Sequence, residues 1–316
     1  QYYTKSQFRR DIEEILKPYQ ILNRLTMTKG YFIGTAIFDR DDLKTLYQLL
    51  QSQKTYLEDP IAIELSDRFQ HNIAAINLFD LEECYPTRVI GNRSIVNSEL
   101  LPTLALPRQL KKLETAIEQG ELLKLSLTPH SARFTGEEST KTFTAYPLQI
   151  IFHNVAWYLG YETVDGDESG LFYFQRLDRL QFEQTPSHTR GIEQQCQALK
   201  KLKKLYEESF GIYLGSSADT QRLFLKGMSI AQLKLELWMN DRSFKFICEG
   251  TQRFPKMKMS APPERAEVDR KLFCLPQTKD PQFPHQLKST LPAWSIDDIE
   301  LIRWILGFQG NIKVCK

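Results

Sequence analysis

The stretch from residue 121 to 182 constrains the fold most. It holds four short runs, 121–128, 141–152, 156–164 and 171–182, rich in aromatic and β-branched residues, with Gly, Asp, Ser and Asn between them. Runs of this length bounded by turn-forming residues read as strands. Strands in such close succession have to cover one another's apolar faces, and a small β-barrel does that.

The flanking sequence is largely helical. Residues 4–16 predict a helix capped by Thr4 or Ser6, with Phe8, Ile12 and Ile15 forming an apolar stripe beside Leu16 and Pro18 ending it. A two-stranded pattern spans Ile21 to Phe38 and turns near Lys29-Gly30. Residues 41–53 and 61–79 predict helices, and 80–106, with prolines at 86, 102 and 107, predicts a linker. A helix at 107–119 ends on Gly120 as a C-cap. Beyond the strands, 191–208 predicts an amphipathic helix with Ile192, Cys196, Leu199, Leu202 and Tyr206 on one side and Lys200, Lys201, Lys203 and Lys204 on the other. That lysine run suits either a solvated face or contact with nucleic acid or a neighbouring subunit. From 229 the pattern restarts: strands at 230–239 and 243–249, a Pro-rich irregular piece at 254–292, a helix from 296 with Ser295 and Asp298 as a capping box, and a strand at 311–315. The fold class is α+β.

Composition excludes several classes. The 316 residues have room for two or three domains. A net charge of +2 means that any nucleic-acid role rests on a local patch. No apolar run approaches the roughly 20 residues of a membrane-spanning helix, and the polar, aromatic start does not read as a secretory signal. The five cysteines (84, 196, 248, 274, 315) are scattered and never form a CxxC pair, which points to buried or half-buried free thiols in a reducing, cytoplasmic compartment. The five histidines do not cluster at metal-ligand spacing, and no phosphate loop, dinucleotide fingerprint, HExxH or GxSxG is present. No catalytic residue, metal site or cofactor is expected.

The first helix carries its own chemistry. With Phe8 at the centre of the buried face, Ser6, Arg9, Arg10 and Glu13 lie outward and Gln7 flanks them. Over residues 1–36 six Lys/Arg (5, 9, 10, 17, 24, 29) stand against three Asp/Glu (11, 13, 14), a net of +3. Such a face suits phosphate contact and major-groove entry. It also suits a plain solvated surface, and Glu13 and Glu14 oppose deep insertion.

Two resemblances bear on these alternatives. The segment "TKSQFRRDIEEI", with its Arg10-Asp11-Ile12 triplet, resembles the recognition helix of winged helix-turn-helix regulators, and "LNRLTMTKGYFI" resembles their wing, with Lys29-Gly30-Tyr31 at its turn. The two helices that precede a recognition helix in such modules are absent from this sequence. Further on, "AWYLGYETVDGDESGLFYFQRLDRL" carries Trp157-Tyr158-Leu159 followed by Arg176-Leu177-Asp178-Arg179-Leu180. The approach "LKKLETAIEQG", "ELLKLSL", "AYPLQIIFHN", the element "ESFGIYLG" and the tail "DDIELIRWILGFQGNIKV" accompany it in order. Over nearly its whole length the chain resembles WYL-domain transcriptional regulators.

That resemblance implies a partial winged helix (1–58), a helical connector (59–106), an Sm- or SH3-like WYL barrel with flanking helices (107–226) and a C-terminal α/β extension (227–316). It implies a homodimer that binds double-stranded DNA through Lys5, Ser6, Gln7, Arg9, Arg10 and Lys29. The barrel would bind an anionic ligand, a nucleotide or single-stranded nucleic acid, through Tyr158, Arg176, Arg179, His153 and Tyr173, with Tyr161 as further stacking surface. It permits a link to phage-defence loci, including CRISPR. The alternative is an accessory protein of such a system that does not bind DNA and uses the barrel to hold nucleic acid or a partner protein. Period-2 alternation places Arg176 and Asp178 on one face and Leu177 and Arg179 on the other unless a bulge or strand end intervenes. The sequence departs from the family at Leu127, where a Tyr is common, at Ala156, where a basic residue is common, and at Tyr173, where an Arg is common.

Overall fold

A computed structural model of the protein describes residues 4–16, 40–57, 59–76, 94–96, 101, 103–127, 141–184, 188–249, 256–261 and 271–315. The chain divides into two compact units, Gln1–Glu99 and Leu100–Lys316. The expected wing with Lys29, and most of the expected linker, lie outside the described residues.

In the first unit, helix α1 (Lys5–Asp11) begins at a capping box. The Gln7 amide donates to Thr4 Oγ1 at 3.3 Å, and the Thr4 amide donates to Gln7 Oε1 at 3.0 Å. It continues into a π turn at Ile12–Leu16. Ile12 is buried, but Phe8, expected at the centre of the buried face, is 57% exposed. Helices α2 (Arg40–Ser52) and α3 (Pro60–Ile76) join through Tyr47, whose ring stacks on Phe69 at 6.1 Å, and Gln51, whose amide donates to Tyr47 Oη and Ser66 Oγ.

The second unit opens with α4 (Leu110–Gln119), closed by Gly120 at φ 65°, a left-handed conformation that glycine adopts without steric cost. Five strands follow: β1 (Leu123–Leu127), β2 (Lys141–His153), β3 (Ala156–Thr163), β4 (Phe172–Arg176) and β5 (Leu180–Gln184). They form an antiparallel sheet in the order β4-β3-β2-β1-β5. The barrel expected from the sequence is not closed. The fourth predicted run breaks into two strands around a 3-10 turn at Leu177–Arg179, which leaves β4 and β5 as opposite edges. The free edge of β4 is covered by a side chain: Gln221 Oε1 accepts from the Phe172 amide, and Gln221 Nε2 donates to the Phe172 carbonyl, at 2.9 and 2.8 Å. The bond pair occupies the outward backbone groups of Phe172 at the start of that edge.

One sheet face buries Leu123, Leu125, Leu159, Tyr161 and Leu180 against Leu113 and Ala116 of α4. The other carries Leu148, Phe172 and Phe174 and packs against α5 (Ile192–Glu208) and α6 (Ala218–Leu225). The buried line of α5 is Gln195, Ala198, Leu202 and Leu205. Ile192, expected on that line, is 72% exposed, and Cys196 is exposed as well. The buried arc is centred between Ala198 and Leu202, which turns Ile192 and, further still, Cys196 away from the sheet. The four lysines at 200–204 are exposed, as a solvated face requires.

The C-terminal part builds a second sheet in the order β10-β6-β9-β7-β8: β6 (Gln232–Met239), β7 (Lys258–Ser260), β8 (Phe273–Leu275), β9 (His285–Pro292) and β10 (Ile312–Val314). All pairings are antiparallel except β7 with β8. The expected strand at 243–249 is instead helix α7 (Asp241–Glu249). The piece expected to be irregular at 254–292 supplies three strands, including β9 at the centre. Helix α8 (Ile299–Gly307) is capped by Asp298 Oδ1, which accepts from the Glu300 amide at 2.8 Å; Ser295 belongs to the 3-10 turn before it. Cys196, Cys274 and Cys315 are free and exposed rather than buried; Cys248 is half-buried, and Cys84 lies outside the described residues. Among the described residues no helix is long and apolar enough to cross a membrane.

Candidate functional site

Tyr158, Arg176, Arg179 and His153 come together at one end of the first sheet. Tyr158 on β3 stands directly opposite Arg176, the last residue of β4, so both side chains project from the same face. His153 ends β2 on that face, its ring edge-on to Tyr158 at 6.1 Å. Strict alternation would send Arg179 to the opposite face. The 3-10 turn at Leu177–Arg179 breaks the alternation and returns Arg179 to the neighbourhood of Arg176 and Tyr158.

The two arginines are not equivalent. Arg176 grips Asp178 with both arms, Nε to Oδ1 at 3.0 Å and Nη2 to Oδ2 at 2.9 Å. This ion pair is largely shielded, and both carboxylate oxygens are taken. Arg179 has no such partner, and its Nε is buried without a hydrogen bond among the described residues. Burial, and then the like charge of Arg176, push its pKa down, while Asp178 and Tyr158 oppose them. Burial raises the pKa of Tyr158 although both arginines pull it down, so the phenol is neutral and can donate. The two guanidinium groups share the one carboxylate of Asp178, which Arg176 already occupies; the second carboxylate of the cluster, Glu300, is bonded to His153. A buried donor with no acceptor is costly, and an anion placed there would remove the cost.

His153 is held differently. Its Nδ1 lies 2.9 Å from Tyr206 Oη on α5, and its Nε2 lies 2.8 Å from Glu300 Oε1 on α8. Glu300 also accepts from Asn154 Nδ2 at 3.1 Å and from the Ile212 amide at 3.4 Å. Burial alone would raise the Glu300 pKa, but these bonds outweigh it and hold the carboxylate below its ordinary value. With both ring nitrogens engaged, His153 ties the sheet to α5 and α8. Sequence reasoning missed Glu300 and Tyr206 because they lie 147 and 53 residues from His153. The one local signal is Asn154, at φ 54° in the β2–β3 turn.

Tyr173 does not join this group. It pairs with Tyr161 across β3 and β4, their rings 6.1 Å apart, on the other face of the sheet.

On α1, Lys5, Ser6, Gln7, Arg9 and Arg10 are all exposed. The side-chain oxygen of Gln7 is committed to the cap. Arg10 approaches Asp11 only loosely, at 3.9 Å. A salt-screened surface contact of that kind leaves the guanidinium available.

The described residues thus define a mixed α+β protein with two mainly antiparallel sheets and a half-buried arginine–tyrosine cluster. No protein-family model and no curated protein matches the chain. Among solved structures it is similar to proteasome accessory factor B/C (PafBC) of Arthrobacter aurescens, with 12% identity and a TM-score of 0.27. That match covers 88% of this chain and 33% of the other, so the chain spans about a third of that structure's length.

Proposed function

We propose that the protein is a WYL-type, ligand-responsive transcription regulator. The first unit contacts the phosphates of double-stranded DNA through Lys5, Ser6, Arg9 and Arg10, and the first sheet of the second unit senses an anionic ligand. The reading rests on one observation: the Arg179 guanidinium sits beside Arg176 and Tyr158 with a buried, unpartnered Nε. A nucleotide or single-stranded oligonucleotide offers both groups that the cluster lacks, a phosphate for Arg179 and a base to lie on Tyr158. For binding to change DNA affinity, the ligand has to prefer one of two states of the protein. The regulator acts as a homodimer, because paired half-sites match a two-fold protein.

The test is a titration of the full chain with a short single-stranded oligonucleotide, for wild type, Arg179→Ala and Arg176→Ala. Arg179→Ala is expected to weaken binding by about tenfold or more, the worth of a charge-assisted hydrogen bond. Arg176→Ala is expected to do less, since Asp178 already neutralises that charge. A folded wild type that binds no oligonucleotide removes the sensor reading. Binding that neither substitution weakens moves the site elsewhere. On the DNA side, Arg9→Ala with Arg10→Ala is expected to lower the salt slope of duplex binding by about two units, one per lost phosphate contact. An unchanged slope would take α1 out of the interface and leave the accessory-protein alternative.

A further inference from the structure

Helices α7 and α8, both packed on the second sheet, leave a cleft of about 560 Å³ between them. Two arginines line it, Arg242 from the first turn of α7 and Arg303 from α8. Both are exposed, and neither forms an ion pair or a side-chain hydrogen bond among the described residues. No Asp or Glu is among the lining residues. Three rings are. Phe308 lies edge-on to Trp304 at 4.9 Å and to Phe246 at 5.9 Å. Phe246 is 64% exposed, a large apolar surface that the fold leaves open to the cleft. The walls are pinned. Asn240 Nδ2 donates to Asn311 Oδ1 at 2.8 Å, and Asn311 Nδ2 donates to the Phe308 carbonyl at 3.0 Å, which fixes the start of α7 against the turn after α8.

We propose that this cleft binds a small aromatic anion, a flat ring system carrying a carboxylate or a phosphate. A cation entering here would meet two guanidinium groups and no countercharge. An anion meets both, and the planar fork of arginine holds a carboxylate or a phosphate by two bonds at once. The ring of the ligand covers Phe246 and packs beside Phe308, which buries apolar surface that otherwise faces water. Neither half suffices. An aliphatic anion leaves Phe246 bare, and a neutral ring leaves both arginines without an acceptor. The volume falls within the ~300–1,000 Å³ typical of small-molecule sites, room for one ring system and its acid group. Walls already pinned lose little freedom when the ligand enters. The cleft shares no residue with the Tyr158, Arg176 and Arg179 cluster, so it stands apart from the sensor reading. An aryl acid and a nucleoside phosphate present the same chemistry to it.

Calorimetric titration of the full chain tests this with naphthoate, its uncharged amide naphthamide, and adenosine monophosphate. Wild type and Arg179→Ala are both titrated, because the second removes the first cluster from the comparison. Naphthoate is expected to bind both saturably in the millimolar range or tighter, and naphthamide about tenfold more weakly. Adenosine monophosphate binding more tightly than naphthoate assigns the cleft to a nucleotide, and the reverse order to an aryl acid; either supports it. Arg242→Gln and Arg303→Gln should each weaken naphthoate several-fold, and the pair together should abolish binding. Phe246→Ala should weaken naphthoate and naphthamide alike. All three side chains are exposed, so the variants are expected to keep the wild-type Tm, which thermal unfolding checks. No naphthoate binding by folded wild type, equal binding of naphthoate and naphthamide, or binding that survives the double substitution would each overturn the proposal. Loss of binding in Arg179→Ala alone would place the ligand at the first cluster and overturn it as well.

Discussion

Glu300 reaches out from α8 to His153, Asn154 and the Ile212 amide. Those bonds, against the opposing effect of burial, hold its folded pKa below the unfolded one. An acid shifted in this direction contributes stability that is complete above its unfolded pKa and is lost as pH falls through the folded one. The Glu300→Gln variant lacks that contribution. It is therefore expected to be less stable than wild type at neutral pH, with the gap closing as pH drops through the acid range. Denaturant unfolding at neutral and acidic pH measures the gap. A gap that does not change with pH would mean that the Glu300 charge is not what stabilises this junction. Asp298 next to it has the opposite shift, raised by burial and further by the Glu300 charge, so Glu300→Gln also relieves that repulsion and offsets part of the loss. At this scale the sequence showed Tyr158, Arg176 and Arg179 because a local block carries them. It did not show that Arg179 joins the other two. Alternation put Arg176 and Asp178 on one face, but it sent Arg179 to the other; the three-residue 3-10 turn that returns Arg179 to Arg176 and Tyr158 has no signal in the alternation.

At the scale of elements, the first sheet was legible because turn residues mark off each of its strands. The second sheet was much less so. Residues 243–249 show Phe244, Phe246 and Cys248 at a spacing of two, and that alternation reads as a strand. The structure buries Phe244 and Ile247, three apart, and leaves Phe246 64% exposed, which is helical geometry. Asn240 was the overlooked signal. Its Oδ1 accepts from the Ser243 amide at 3.0 Å at the entrance to α7, and its Nδ2 donates to Asn311 Oδ1 at 2.8 Å beside β10. Strand β9 was hidden because Pro284 precedes it and Pro292 ends it within a Pro-rich tract. Asn240→Ala removes both the cap and the link to β10. It is expected to destabilise the protein by about 1–2 kcal/mol, near the upper end for a helix cap, and thermal or denaturant unfolding reads it directly. A loss of only a few tenths of a kcal/mol would show that the remaining backbone bonds hold α7 unaided. Within β3, Gly160 is a comparable fixed point. A Cβ there would stand 2.6 Å from Leu202 and 2.7 Å from Phe174, both buried, so Gly160→Ala is expected to cost about 1–3 kcal/mol by overpacking.

At the scale of the whole molecule, the second unit is held together by side chains that cross between its sheets. Trp294, from the turn after β9, packs on Phe224 of α6 at 5.2 Å and donates its Nε1 to Ser209 Oγ at 3.0 Å. Helix α8 turns Leu301, Trp304 and Ile305 toward the second sheet. Its opposite side presents Ile299, Ile302 and Leu306 to solvent, the last 68% exposed. Residues spaced by three and four make one continuous stripe along a helix, and this exposed apolar stripe is the candidate contact for the homodimer proposed above. A second copy of the chain is the partner that the regulator reading requires, and an isologous contact would bring the two stripes against each other. Ile302→Glu with Leu306→Glu places four carboxylates in that contact, two from each copy, while neither side chain supports the core of its own chain. Light scattering at tens of micromolar is expected to give a dimer for wild type and a monomer for the double variant, with unchanged far-ultraviolet circular dichroism. A double variant that remains dimeric would move the interface away from α8. A monomeric wild type would remove the two-fold DNA-binding reading itself and favour an accessory protein that uses the Arg179 site alone.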